Sequence, residues 1–142
     1  MIRFELISLD GVKFSEDVYE ITLPTMDGEI GVLPGHMPLI SVAKAGVILV
    51  RRSQSDRDDM REVYAISGGA IEVSGDTLRV LVDEADHSDE ISEEEARDAM
   101  KRAEALKLGA KDQVSLEQAQ SLIDRSAVRL QVAGLKKRHQ RH

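Results

Sequence analysis

The sequence predicts an α+β protein in which a β-sandwich or barrel precedes an antiparallel two-helix hairpin, and three observations predict it. Over residues 2–82, short β-branched segments alternate apolar and polar side chains and are separated by Gly, Pro and Asp. After about Asp86 the apolar residues recur at helical spacing. Charge divides along the same line: residues 83–98 hold nine acids and one base, Arg97, whereas residues 125–142 hold six bases and no acid. The expected units are 1–86 and 87–142.

Taken in order, segment 3–9 places Phe4 and Leu6 on one face and Glu5 on the other. Segment 18–23 sets Tyr19, Ile21 and Leu23 against Glu20 and Thr22, and 46–50, 63–67, 70–73 and 78–82 continue the alternation. Asp10-Gly11, Asp27-Gly28, Gly68-Gly69 and Gly75-Asp76 mark turns. The charged stretch 53–61 lacks apolar alternation and reads as a hairpin tip facing water.

Segment 27–39, DGEIGVLPGHMPL, departs from this pattern. Gly28, Gly31 and Gly35 permit positive φ, while Pro34 and Pro38 fix φ and remove donors, so a shaped loop system is expected in place of regular strand. It reads either as a tight corner of the sandwich or as a rigid loop that presents Glu29 and His36 to another protein.

In the helical half, Ser92 and Glu95 form a capping-box pair ahead of the stripe Ala96, Ala99, Met100, Ala103 and Leu106, and Gly109 ends the run. Ser115 with Gln118 opens a longer helix with the stripe Leu116, Ala119, Leu122, Ile123, Ala127 and Leu130. The short link 110–114 makes the helices antiparallel neighbours. An alanine-rich stripe allows close approach but buries little apolar area, so the hairpin should be weakly held. Acids at the start of one helix and bases at the end of the next complement the helix dipoles. The same basic end also suits an acidic partner.

Several function classes are excluded. A net charge of −7, two Phe, two Tyr and no Trp argue against nucleic acid as a partner. The absence of cysteine removes disulfides, thiolate metal sites and thiol redox chemistry. No apolar run approaches the roughly 20 residues that span a bilayer, so membrane association is expected only indirectly, through a partner. There is no phosphate-binding loop, dinucleotide fingerprint, HExxH or GxSxG, and hence no catalytic residue, cofactor site or metal site is expected. The acidic run 83–90 lacks the ligand spacing and turn glycine of a calcium loop and reads as a solvated hinge.

Three motifs carry a resemblance. Phe14-Ser15, the Gly28-Glu29-Ile30-Gly31 to Pro34-Gly35-His36 loop with Pro38-Leu39, and the pair of segments running from Ser67-Gly68-Gly69 to Leu81 occur in the order and at the separations of the epsilon subunits of bacterial F-type ATP synthases. The chain resembles that family over nearly its whole length. The resemblance implies a sandwich of about ten strands and a C-terminal helical hairpin. It also implies a non-catalytic rotor subunit that couples proton-driven rotation to ATP synthesis.

The resemblance further implies partners and site residues. Glu29 corresponds to the acid facing the c-ring loops, and Ser8, His36 and Ser41 lie in the region facing the γ subunit. In many members the hairpin also extends into the α/β catalytic head and blocks hydrolysis. Arg125, Arg129, Lys136, Lys137 and Arg138 are the candidate inhibitory contacts here. One departure matters: where ATP-binding members carry [IL]DxxRA, this chain has Ile91-Ser92-Glu93-Glu94-Glu95-Ala96. Ser92 replaces the acid and Glu95 the arginine, so ATP binding is not expected. With no transit-type leader, the expected location is peripheral, on the cytoplasmic face of a bacterial inner membrane. The alternative reading is a stand-alone β-sandwich regulator or adaptor that binds a helical partner.

Overall fold

The structure, a computed structural model, describes residues 1–140, with side chains as far as Lys136. The chain folds into two compact units, Met1–His87 and the residues from Ser88 onward.

The first unit contains ten strands: β1 (Ile2–Ser8), β2 (Gly11–Val18), β3 (Glu20–Thr25), β4 (Gly28–Val32), β5 (Leu39–Ala43), β6 (Gly46–Arg51), β7 (Glu62–Ile66), β8 (Gly69–Ser74), β9 (Thr77–Val82) and β10 (Ala85–His87). One layer runs β2-β1-β9-β8-β5 and the other β4-β3-β6-β7-β10. All pairs are antiparallel except β1 with β9. Strand β3 makes the corner between the layers. Its first residues pair with β6, whereas Thr25 pairs with Ala43 of β5 and the Pro24 carbonyl accepts from Lys44 N at 3.2 Å. Pro24 is tolerated because its missing N–H falls where the strand changes partners.

Period-two alternation fills the space between the layers. Phe4, Leu6, Ile21, Leu23, Ile48, Val50, Ile71, Leu78 and Val80 are fully buried. Each stabilises the fold by roughly 1.5–3 kcal/mol relative to exposure. A ladder of rings crosses this core: Phe4 to Phe14 at 5.4 Å, Phe14 edge-on to Tyr64 at 6.0 Å, and Tyr64 edge-on to His87 of β10 at 5.0 Å.

Four sequence expectations need correction here. The segment 18–23 is not one strand: β2 ends at Val18, and Tyr19 N donates to the Arg51 carbonyl before β3 begins. Segment 27–39 is loop only in part, since Gly28–Val32 is strand β4, with Gly31 in it without a positive φ, while 33–38 is the expected shaped loop. Gly68-Gly69 does not close a hairpin, because β7 and β8 lie in different layers and the chain crosses between them. Part of the acidic hinge is strand β10, paired with β7. Expected turns do hold at Gly11, Gly28 and Gly75, each with positive φ.

The second unit is a helical hairpin of α1 (Glu93–Leu108) and α2 (Gln113–Gln140). Ser92 caps α1, its hydroxyl accepting from Glu95 N at 3.2 Å, and Gly109 is the C-cap. Helix α2 is capped three residues earlier than its sequence signal. Asp112, not Ser115, supplies the cap, accepting from Ser115 N at 2.7 Å, and this bond holds the Asp112 carboxyl below its ordinary value.

The buried stripes are narrower than expected. Ala96 and Ala103 are buried on α1, and Ala119, Ser126, Val128, Val132 and Ala133 on α2. Ala127, Leu116 and Leu122 are exposed instead, as is Leu106. The small residues Ala119, Ser126 and Ala133 recur every seventh position, which selects a close-packed seam of small side chains over the leucines.

Candidate docking surface

Within the sandwich, the residues singled out in the sequence stand on different elements. Ser8 is buried at the end of β1, and its hydroxyl accepts from Asp10 N at 3.2 Å and donates to the Gly11 carbonyl at 3.4 Å, closing the β1–β2 turn. Ser41 is half-buried on the inward side of β5, between outward-facing Ile40 and Val42. His36 sits in the loop 33–38, where His36 N donates to the Leu33 carbonyl at 3.1 Å across Pro34 and Gly35, the latter at φ 83°. That is a type II turn, with Pro and Gly at the positions its geometry requires. His36 Nδ1 is 2.6 Å from the Met37 carbonyl, which fixes the ring against its own loop. Glu29 is exposed on β4, in register with Pro24.

On the hairpin, Arg125 and Arg129 are half-buried on α2, and Lys136 Nζ lies 3.8 Å from Asp89 Oδ1. The side chains of Lys137 and Arg138 lie outside the described residues. Among the described residues no group of three or more His, Asp or Glu side chains is placed to hold a metal ion.

The charges at the 51–61 tip are engaged within the sandwich. Arg51 pairs with Glu20 at 3.1 Å and with Asp58. Arg52 spans Glu16 of β2 at 2.9 Å and Glu62 of β7 at 3.1 Å, with its guanidinium 5.2 Å from the centre of the Phe14 ring. The Arg52 hydrogen bond holds the Glu16 carboxyl below its ordinary value, and the Arg51 bond does the same for Asp58.

Strand register reveals a surface that sequence reasoning missed. Val12 stands opposite Ile7, Ile7 opposite Leu81, Leu81 opposite Ala70 and Ala70 opposite Val42; Met26 N donates to the Val42 carbonyl. These six residues form one row across the outer face of β2, β1, β9, β8 and β5, ending at Met26 in the turn that follows β3. All are exposed except half-buried Ile7. At about 4.8 Å per strand the row is roughly 24 Å long. Beside it runs a second row, Ile40–Glu72–Arg79–Glu5.

Such a contiguous apolar row, bordered by charge, makes this water-facing sheet the candidate docking surface. The signal was present in the sequence: Ile7, Val42 and Leu81 put apolar side chains at positions where the alternation calls for polar ones. It could not be read as a row until the register was known, because these residues are far apart in sequence.

Comparison with known proteins bears on what docks there. Residues 1–88 match the family model described as ATP synthase, Delta/Epsilon chain, beta-sandwich domain. The chain is 33% identical over 139 residues to the ATP synthase epsilon chain of Herpetosiphon aurantiacus, covering 98% of each. It is 37% identical over 133 residues to that of Geotalea uraniireducens, covering 93% of each. It superposes with a TM-score of 0.77 and 26% identity on a chain in the cryo-EM structure of the Euglena gracilis mitochondrial ATP synthase, an assembly of OSCP, F1 and c-ring. The match covers 94% of this chain and 81% of that one. A chain in the Tetrahymena thermophila mitochondrial central stalk and c-ring structure, 13% identical with a TM-score of 0.59, shares the fold.

Proposed function

The chain belongs to the family of ATP synthase epsilon chains, and from that premise we propose that the outer face of its sandwich is where the γ subunit docks. It is a non-catalytic central-stalk subunit of the rotary complex that couples proton-driven c-ring rotation to ATP synthesis, and its partners are γ and the c-ring. The apolar row from Val12 to Met26 is the observation that carries the docking assignment. A subunit that transmits torque needs a broad surface whose burial resists shear, and a row across five strands and the adjoining Met26 turn supplies one.

Glu29, exposed next to the Gly28 turn, is proposed to face the polar loops of the c-ring. His36, on its Pro-Gly turn, and Ser41 flank the γ-facing region. Ser8 contributes by holding the β1–β2 turn that carries exposed Leu9 and Val12. The hairpin is proposed to brake ATP hydrolysis by bringing Arg125, Arg129 and Lys136, with Lys137 and Arg138, to acidic loops of the catalytic head. At its Ser92-capped start Glu95 stands where the nucleotide-binding motif has its arginine, and the nearby Arg97 is paired with Glu93 at 2.6 Å.

The assembly is membrane-associated. Among the described residues no helix is long and apolar enough to cross a membrane. We place the chain on the cytoplasmic face of a bacterial inner membrane, supported by its similarity to bacterial epsilon chains. A cryo-EM map of the assembled enzyme tests the docking assignment. The proposal requires γ density over Val42, Ala70 and Leu81, and solvent over those residues would refute it.

A further inference from the structure

The charged row contains an asymmetry that the register alone does not demand. Arg79 stands between two acids, Glu72 on β8 and Glu5 on β1. It pairs with Glu5, Nη2 to Oε1 at 3.5 Å. Among the described residues no ion pair engages Glu72. Its carboxylate is exposed and stands directly across from Ile40, which is 84% exposed.

Glu72 also lines a shallow groove of about 440 Å³, with Pro38, Leu39, Ile40, Val73 and Ser74. The groove thus has an apolar floor and a single charge on its rim. A ligand that fits both parts has an aliphatic stem and a cationic head, which describes arginine or lysine. The charge of the unit points the same way, with sixteen Asp and Glu against eight Lys and Arg over residues 1–87.

We propose that this groove is a socket for one arginine or lysine of the docked partner, with the stem along Pro38 and Ile40 and the head on Glu72. The proposal rests on the assignment of the adjoining apolar row as the docking face, because Ile40 and Glu72 each lie two positions along their strands from row members Val42 and Ala70. A row of aliphatic side chains admits a partner in either direction and with some slip along its length. One off-axis ion pair at its border fixes both direction and register.

The test is titration of purified γ subunit into the full-length chain and its variants, with thermal melting as a check on folding. Glu72→Gln keeps shape and removes charge. It should weaken binding about ten-fold, Glu72→Lys should weaken it further, and both should flatten the salt dependence while melting as the parent does. Val42→Asp in the neighbouring row is the control. Loss of binding with Val42→Asp but binding within two-fold of the parent for Glu72→Gln overturns the socket and leaves the docking face standing. Parental binding by Val42→Asp overturns the face and the socket with it.

Discussion

The Leu81 carbonyl oxygen occupies the space into which a side chain at Gly69 would grow: a Cβ there would lie 1.9 Å from it. Gly69 pairs with Val82 at the start of the β8–β9 ladder, immediately beside Ala70 and Leu81 of the docking row. The glycine is therefore required by close backbone approach. Gly69→Ala should destabilise the protein by about 3 kcal/mol or more, read as a lowered denaturation midpoint with unchanged m-value. A variant as stable as the parent would contradict the strand spacing described here.

Arg52 ties the two layers together at the tip end, between Glu16 and Glu62 and over Phe14. Arg52→Met should lower stability by about 1 kcal/mol at neutral pH. The sign of the pH dependence follows from Glu16, whose carboxyl lies below its ordinary 4.5 in the folded state. A depressed carboxyl stabilises the fold above 4.5, and that contribution disappears as pH falls through the folded-state value. The parent should therefore lose stability below pH 4.5 more steeply than the variant, and parallel acid-unfolding curves would refute the coupling.

How legible was this molecule in its sequence? Strands with a clean alternation, such as β1 with Phe4 and Leu6 inward, could be read directly, as could the Ser92 cap and the Gly109 stop. Strand β4 was hidden because Gly28, Gly31 and the nearby prolines signal loop by composition, while tertiary pairing with β3 imposes an extended backbone. The α2 cap was misplaced because Ser115 and Asp112 are both competent cap residues and only the backbone decides between them. The docking row was unreadable for a different reason. Its members come from five strands and the turn after β3, and which residues stand side by side is a property of register.

The Ser92 and Glu95 pairing also bears on nucleotide binding. Ser92 commits its hydroxyl to the Glu95 amide, and the Glu95 side chain adds negative charge to the first turn of α1. Titration of the isolated chain with millimolar ATP should give no saturable heat. A micromolar dissociation constant would show that other cations had assembled a site.

The sandwich closes its own core of residues from β1 to β10, so a chain stopped after His87 should remain folded. It should still assemble with γ and support proton-driven synthesis, while hydrolysis rises if the basic part of α2 is the brake. Inhibition in the intact enzyme should weaken with added salt. Assembly without a rise in hydrolysis would show that the brake lies elsewhere.

The central claim is that torque passes through the apolar row on the outer face of the sandwich, and its most direct measurement is proton-driven ATP synthesis by enzyme reassembled with the double variant Val42→Asp, Leu81→Asp. Both side chains point outward, so the sandwich should melt within a few degrees of the parent, while γ no longer co-purifies and coupled synthesis falls at least about ten-fold. A folded double variant that binds γ and supports synthesis at the parental rate would contradict the account.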